Sequence, residues 1–234
     1  MIYQAARAIA LEAGSGGEAP TAVTRPQPRL SDTAYNVLRQ RIVSLRLPPG
    51  MRLDEEELIA DLGVGRTPLR EAIARLQHEG LVMVMPRRAT IVAPLDLGDL
   101  HQLIEARLVL EPDVAARAAH GSNPDLAAAL VEAVDAADRA ARSGDVDAYV
   151  DSDLRFHDAV ADACGNVHLA RANKHVNILS MRFWHLGFRV AGPPSAANHH
   201  RTLMAAIVAG DEPAARVCAG AHIENFRQRL RTAL

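Results

Sequence analysis

Four side chains in the second half of the chain have the types and spacing of a metal site. Asp153 and His157 are one helical turn apart, so a carboxylate oxygen and an imidazole nitrogen reach one point. They interrupt the apolar stripe Val146, Val150, Val160 and Cys164, and a buried carboxylate is costly unless it is paired or bound to metal. His200 and His222 lie nearly equidistant from Gly210-Asp211, the expected turn of a helical hairpin. His200 shares its face with Leu203 and Ile207, and His222 shares its face with Cys218 and Phe226. One carboxylate and three imidazoles converging in a dry bundle are, by ligand type, the donor set of a divalent transition metal. A hydrogen-bonded core network is the alternative for the same residues, and His199 competes for the place of His200. His101, His120, His168, His175 and His185 read as surface or packing residues.

Arg107 is the next singular residue, because it falls on the stripe of Leu100, Leu103 and Ile104. It is either an i, i+4 ion pair with Glu111 or an anion anchor, since a guanidinium binds a carboxylate in bidentate fashion. Arg182 is a weaker candidate for the same role.

Helices must position these groups. Asp99 is expected to cap a helix interrupted at Glu111-Pro112, because proline disfavours α geometry in the residue before it. That helix resumes to His120. Asn123-Pro124 starts a second helix that ends at Ser143-Gly144, and Asp145 starts a third that ends at Gly165. Asn166 caps a fourth running to about Arg189. Gly192-Pro193-Pro194 breaks the chain, Ser195 starts a fifth that stops at Gly210, and Asp211 opens a sixth. An all-helical bundle follows.

The first half reads differently. In LDEEELIADLGVGRTPLREAIARLQHEGLV, Asp54 is an N-cap, Leu58 and Leu62 form an apolar pair, and Gly63 stops the helix. Thr67 can cap the next helix with Pro68 at its first position, and Leu69, Ala72, Ile73 and Leu76 give it one apolar face. Arg66, Thr67 and Arg70 stay off that face, at the end that can enter a major groove. Gly80 ends the helix, Leu81 to Met85 is a β-type run, Pro86-Arg87-Arg88-Ala89 is a turn, and Thr90-Ile91-Val92 is a second run. This is the order of a winged helix-turn-helix.

From Ala34 through Val92, with the LRLPPG turn, the RTPLREAIARL helix and the PRRATIV wing, the chain closely resembles the DNA-binding domain of the GntR family of bacterial transcriptional regulators. The resemblance implies DNA contacts at Arg66, Thr67 and Arg70, and a wing at Arg87 and Arg88 that reaches the minor groove. Three positions depart from the family pattern: Gly65 in place of Ser or Thr, Glu56 in place of Arg, and Ala89 in place of Gly. Asp153-x3-His157, HRTLMAAIVAGD from His200, and His222 likewise resemble the metal-binding signature of the helical FCD effector domain in the FadR-like subgroup. The resemblance implies metal ligation by Asp153, His157, His200 and His222, with Zn, Ni or Mn as the cation. It also implies a pocket for small organic acids, for which Arg107 and Arg182 are the anchors.

Composition agrees with two domains of mainly α structure. In 234 residues, 49% are hydrophobic but only 3% aromatic, so the cores must be Leu, Val, Ile and Ala. The net charge of −2 excludes a polybasic nucleic-acid binder. DNA affinity must then rest on a few placed arginines and on two copies of the domain bound to a palindrome. Cys164 and Cys218 form no disulfide framework, and no apolar run approaches a membrane span.

The expected organisation is a flexible extension over 1–29, a winged helix over 30–95, and an all-α effector and dimerisation domain over 96–234. The function read from it is a cytoplasmic, homodimeric regulator, a repressor released from its operator by a small carboxylate. The rivals are a helical-bundle metalloenzyme and a regulator that answers to metal alone. No nucleophile or spare general base recurs beside the four ligands, and an enzyme has no use for residues 30–95.

Overall fold

The computed structural model describes residues 29–85, 88–191 and 198–233. Several expectations lie outside them: the extension over 1–28, Pro86 and Arg87 of the wing, the Gly192-Pro193-Pro194 break, and the start at Ser195. Chain contacts divide the protein into two compact units that part between Asp96 and Leu97.

The first unit contains α1 (Leu30–Val43), β1 (Arg52–Leu53), α2 (Glu55–Leu62), α3 (Arg66–His78), β2 (Val82–Met85) and β3 (Ala89–Val92). Asp54 caps α2 by accepting from the backbone N–H groups of Glu56 and Glu57, and Gly63 closes it in the left-handed conformation at φ 63°. Thr67 does not cap α3. The cap residue is Gly65, with extended backbone and no side-chain bond, and α3 begins at Arg66. Pro68 therefore stands third in the helix, where its missing N–H still costs nothing because the first turn has no intrahelical acceptors. Leu38 and Ile42 of α1 and Leu69, Ala72 and Leu76 of α3 are buried and form the core under the sheet. Arg75 reinforces the α1–α3 contact by lying 3.8 Å from the Tyr35 ring centroid and pairing with Asp32 at 2.6 Å.

The sheet has a third strand that periodicity did not suggest, β1, only two residues long; the order is β1-β3-β2, all antiparallel. Gly50, at φ 79°, turns the chain so that its N–H donates to Val92 and Met51 accepts from Val92. That pair of bonds ties β1 to the wing.

The second unit is helical: α4 (Leu97–His120), α5 (Pro124–Ser143), α6 (Val146–Ala163), α7 (Val167–Ala191), α8 (Asn198–Val208) and α9 (Glu212–Ala233). Side-chain caps fall where expected: Asn123 on Leu126, Asp145 on Ala148, Asn166 on His168 and Leu169, and Asp211 on Ala214. One boundary differs from expectation. α4 starts at Leu97 rather than after Asp99, and it runs unbroken through Pro112. Proline inside a helix costs ~3 kcal/mol, yet the buried faces of Ile104, Arg107 and Glu111 before it and Val114, Ala115 and Ala118 after it all pack inward. Tertiary burial on both sides holds the helix together. α4 is the central element, in contact with α6, α7, α8 and α9.

Candidate functional site

In the helical unit the imidazoles of His157, His200 and His222 are all buried, and each offers a nitrogen within 4.8 Å of the others. The Nε2 atoms of His157 and His200 are 3.4 Å apart. Asp153 Oδ1 lies 3.0 Å from His200 Nε2, and Oδ2 lies 3.8 Å from His157 Nε2. Donors bonded at about 2.0 to 2.2 Å to one transition-metal ion stand roughly 3 to 3.5 Å from each other; the 3.0 and 3.4 Å separations fall in that range, and the 3.8 Å one lies outside it. His222 Nε2 has no hydrogen-bond partner among the described residues, so its lone pair is available to a ligand. The hairpin turn at Gly210 (φ 69°) sets α8 against α9 and brings His200 and His222 to one height.

Charge in the site is arranged for ligation. Burial pushes the Asp153 carboxyl up, but His200, His157 and Arg107 outweigh it and hold it below the usual carboxylate range. Burial drives His157 down, against the pull of Glu111 and Asp153. It drives His222 well below the ordinary imidazole value, with His200, His157 and Arg107 adding to the effect. An ionised Asp153 beside imidazoles at His157 and His222 that resist protonation suits a divalent cation.

Glu111 was passed over as a mere partner of Arg107. It pairs with the Arg107 Nε through one oxygen and stands 3.6 Å from His157 Nδ1 with the other, the position from which a carboxylate orients a ligating imidazole. The four-residue spacing from Arg107 was the available signal. Arg107 is fully buried, its guanidinium lies 4.8 Å from the Phe226 ring centroid, and neither Nη finds a partner among the described residues. Arg182 is buried on α7, and loss of water lowers its pKa to about 10; the charge felt at Asp153, His157 and His222 is that of Arg107. His185, read as a packing residue, is buried beside Asp147 at 3.5 Å.

In the winged unit, Arg66 and Thr67 at the tip of α3, Arg70 one turn on, and Arg88 after the wing turn are exposed. Arg66, Arg70 and Arg88 line one groove with Arg52, Glu55 and Thr90. Arg52 was not singled out, since it belongs to the strand that periodicity missed. Arg70 is held by Glu55, its Nε lying 3.3 and 3.1 Å from the two carboxylate oxygens. A carboxylate on the preceding helix thus holds the guanidinium in one direction.

A winged helix carrying an arginine-lined groove, in one chain with a helical unit that buries a histidine cluster, is the arrangement of a DNA-binding regulator. Residues 30–92 match the bacterial regulatory proteins of the gntR family, and residues 102–225 match the FCD domain. The chain belongs to the GntR family, in its FCD-containing subgroup; these are transcriptional regulators and not enzymes. It is 31% identical over 200 residues to an uncharacterised HTH-type transcriptional regulator of Streptomyces ambofaciens, covering 81% of this chain and 80% of that one. A putative L-lactate dehydrogenase operon regulatory protein of Escherichia coli is 30% identical over 220 residues, covering 83% and 84%. The solved structure of E. coli McbR/YncC superposes with a TM-score of 0.78 at 23% identity, over 88% of this chain and 99% of that one, and shows the same fold. Among the described residues, no helix is long and apolar enough to cross a membrane.

Proposed function

We propose that the protein is a cytoplasmic repressor that binds a palindromic operator as a homodimer and is released by a small carboxylate seated at a metal in the helical unit. Asp153, His157, His200 and His222 hold the cation, one of Zn, Ni or Mn. The cation supplies open coordination positions for an acidic oxygen. Arg107 receives the other carboxylate oxygen or a second acid group through its Nη atoms, while Glu111 fixes both Arg107 and His157. Arg66, Thr67 and Arg70 read the major groove, and the wing at Arg87 and Arg88 reaches the minor groove. A probable D-xylose utilization operon transcriptional repressor of Paenarthrobacter nicotinovorans, 30% identical over 181 residues and covering 77% of this chain and 80% of that one, supports the repressor role.

The observation that carries the reading is Arg107, buried to 0% exposure, its charge felt at Asp153, His157 and His222, with both Nη groups unpaired among the described residues. Glu111 engages only the Nε, so the two Nη groups remain as donors for a further acceptor, which a carboxylate supplies in bidentate fashion. Regulation by metal alone leaves those donors unused. The test is elemental analysis of protein purified without chelator, followed by thermal-shift and gel-shift titrations with organic acids. Stoichiometric metal, acid stabilisation that chelator abolishes, and operator release by the same acids are expected. Wild-type metal content in His157→Ala would remove the site assignment.

A further inference from the structure

Resting on the reading of Arg70 as a base contact, we infer that Glu55 is the positioning residue that sets the sequence specificity of the winged unit: its carboxylate presents the Arg70 guanidinium to a guanine and withholds it from phosphate. Glu55 opens α2 directly after the Asp54 cap, and Arg70 stands in the second turn of α3, one turn on from Arg66. The guanidiniums of Arg52, Arg66, Arg70 and Arg88 line one groove with Glu55. Of these four, Arg70 alone has a carboxylate partner among the described residues.

Stability does not account for the pair. Arg70 is 62% exposed and Glu55 32%, and an ion pair so open to water adds little to the folded state. Its effect is on direction. Both Glu55 oxygens meet the same atom, the Arg70 Nε, at 3.3 and 3.1 Å. The terminal Nη pair is left over, and it is the planar fork of donors that matches O6 and N7 on the major-groove edge of guanine. A long side chain tied in this way also has less rotamer freedom to lose when it meets a base.

The charge of Glu55 acts alongside its reach. An untied arginine binds phosphate as well as bases, and phosphate is the same at every step of the duplex, so that contact adds affinity without sequence information. Arg70 with Glu55 is a nearly neutral unit, and the carboxylate repels a phosphate that competes for the fork. Guanine offers two acceptors and no full negative charge. The pair therefore suits a base edge better than the backbone. Glu56 supplies the contrast, because it is exposed in the same groove, one residue along α2, yet no ion pair joins it to Arg70 among the described residues.

The test uses the full-length protein and a pool of random duplexes, from which the wild type enriches its preferred site. Affinities are then measured for that site, for its single-base variants and for a scrambled duplex, across a range of salt. Arg70→Ala should lose a preference of about ten-fold or more for guanine at one position of each half-site. Glu55→Ala should lose the preference at that same position, yet bind the scrambled duplex several-fold more tightly and with a steeper salt dependence. Glu56→Ala removes the same charge from the same helical turn, so it should also tighten scrambled binding, but with the guanine preference intact. In the Arg70→Ala background, adding Glu55→Ala should change the preference no further. Undiminished guanine preference in Glu55→Ala, or equal loss in Glu56→Ala, would overturn the inference while leaving Arg70 as a base reader. So would weaker binding of site and scrambled duplex alike in Glu55→Ala, the mark of a purely structural carboxylate. Enrichment of no site by the wild type, or full preference at every position in Arg70→Ala, would remove the base-reading role of Arg70 and this inference with it.

Discussion

Glu111 is the residue on which two jobs converge, since one carboxylate oxygen serves Arg107 and the other faces His157. Removing either neighbour should therefore give different phenotypes. Arg107→Ala should retain metal by elemental analysis yet weaken acid binding at least ten-fold, since a buried charge-assisted pair contributes about 1.5 to 3 kcal/mol. Glu111→Gln should weaken metal affinity by about 10- to 100-fold, the usual effect of losing a carboxylate behind a ligating imidazole. His185 gives a separate acid response. Burial, working against Asp147, lowers its pKa to about 4, so the unfolded chain takes up a proton below about 6.5 that the folded protein refuses. The stability contributed by neutral His185 is full above 6.5 and is lost as pH falls from there towards 4. Thermal melts across that range, in chelator, should be less pH-dependent for His185→Gln than for wild type.

At the scale of elements, the ends of helices were the most legible features. Asp54, Asn123, Asp145, Asn166 and Asp211 all cap as read, because an Asx side chain before an apolar period has one local use. What local rules misplace is decided at a distance. Pro112 lies inside α4 because packing on both sides of it outweighs its propensity, and Gly65 rather than Thr67 precedes α3. Strand β1 exists only through its bonds to β3, so two residues of sequence carry no signal of it. The grouping of the three histidines was legible because each falls on an apolar face of its helix, faces that allow a hydrogen-bonded core as well as a metal, and because the resemblance to the FCD signature favoured the metal. The α3 tip yields its own expectation. Arg70→Ala should cost about 1 to 3 kcal/mol of base discrimination, read as loss of preference between operator and scrambled duplex in gel-shift titrations. Arg88→Ala should weaken all sequences alike and reduce the salt slope.

For the whole molecule, two compact units in one chain of 25.2 kDa make separable contributions. Chelation should lower the melting transition of the helical unit, because a bound ion stabilises only the folded state. It should leave the winged unit's own transition in place. Sedimentation at about twice the chain mass is expected of a homodimer, and a monomer with full operator affinity would contradict it. Linkage adds a reciprocal test. If an acid weakens operator binding by some factor, saturating operator must weaken acid binding by the same factor, which calorimetry with and without duplex measures.

The Arg107–Phe226–Trp184 layer gives the protein an optical property. The chain has one tryptophan, and its ring stacks on Phe188 at 4.3 Å and meets edge-on the phenylalanine that carries the anion anchor. All indole emission therefore comes from a single chromophore one aromatic ring away from the arriving charge. On the proposed reading, an acid that neutralises the guanidinium changes the field across that ring system, so titration with it should shift the emission maximum without dye or label. The protein is its own fluorometer, and Phe226→Leu should silence the signal while Trp184 still emits.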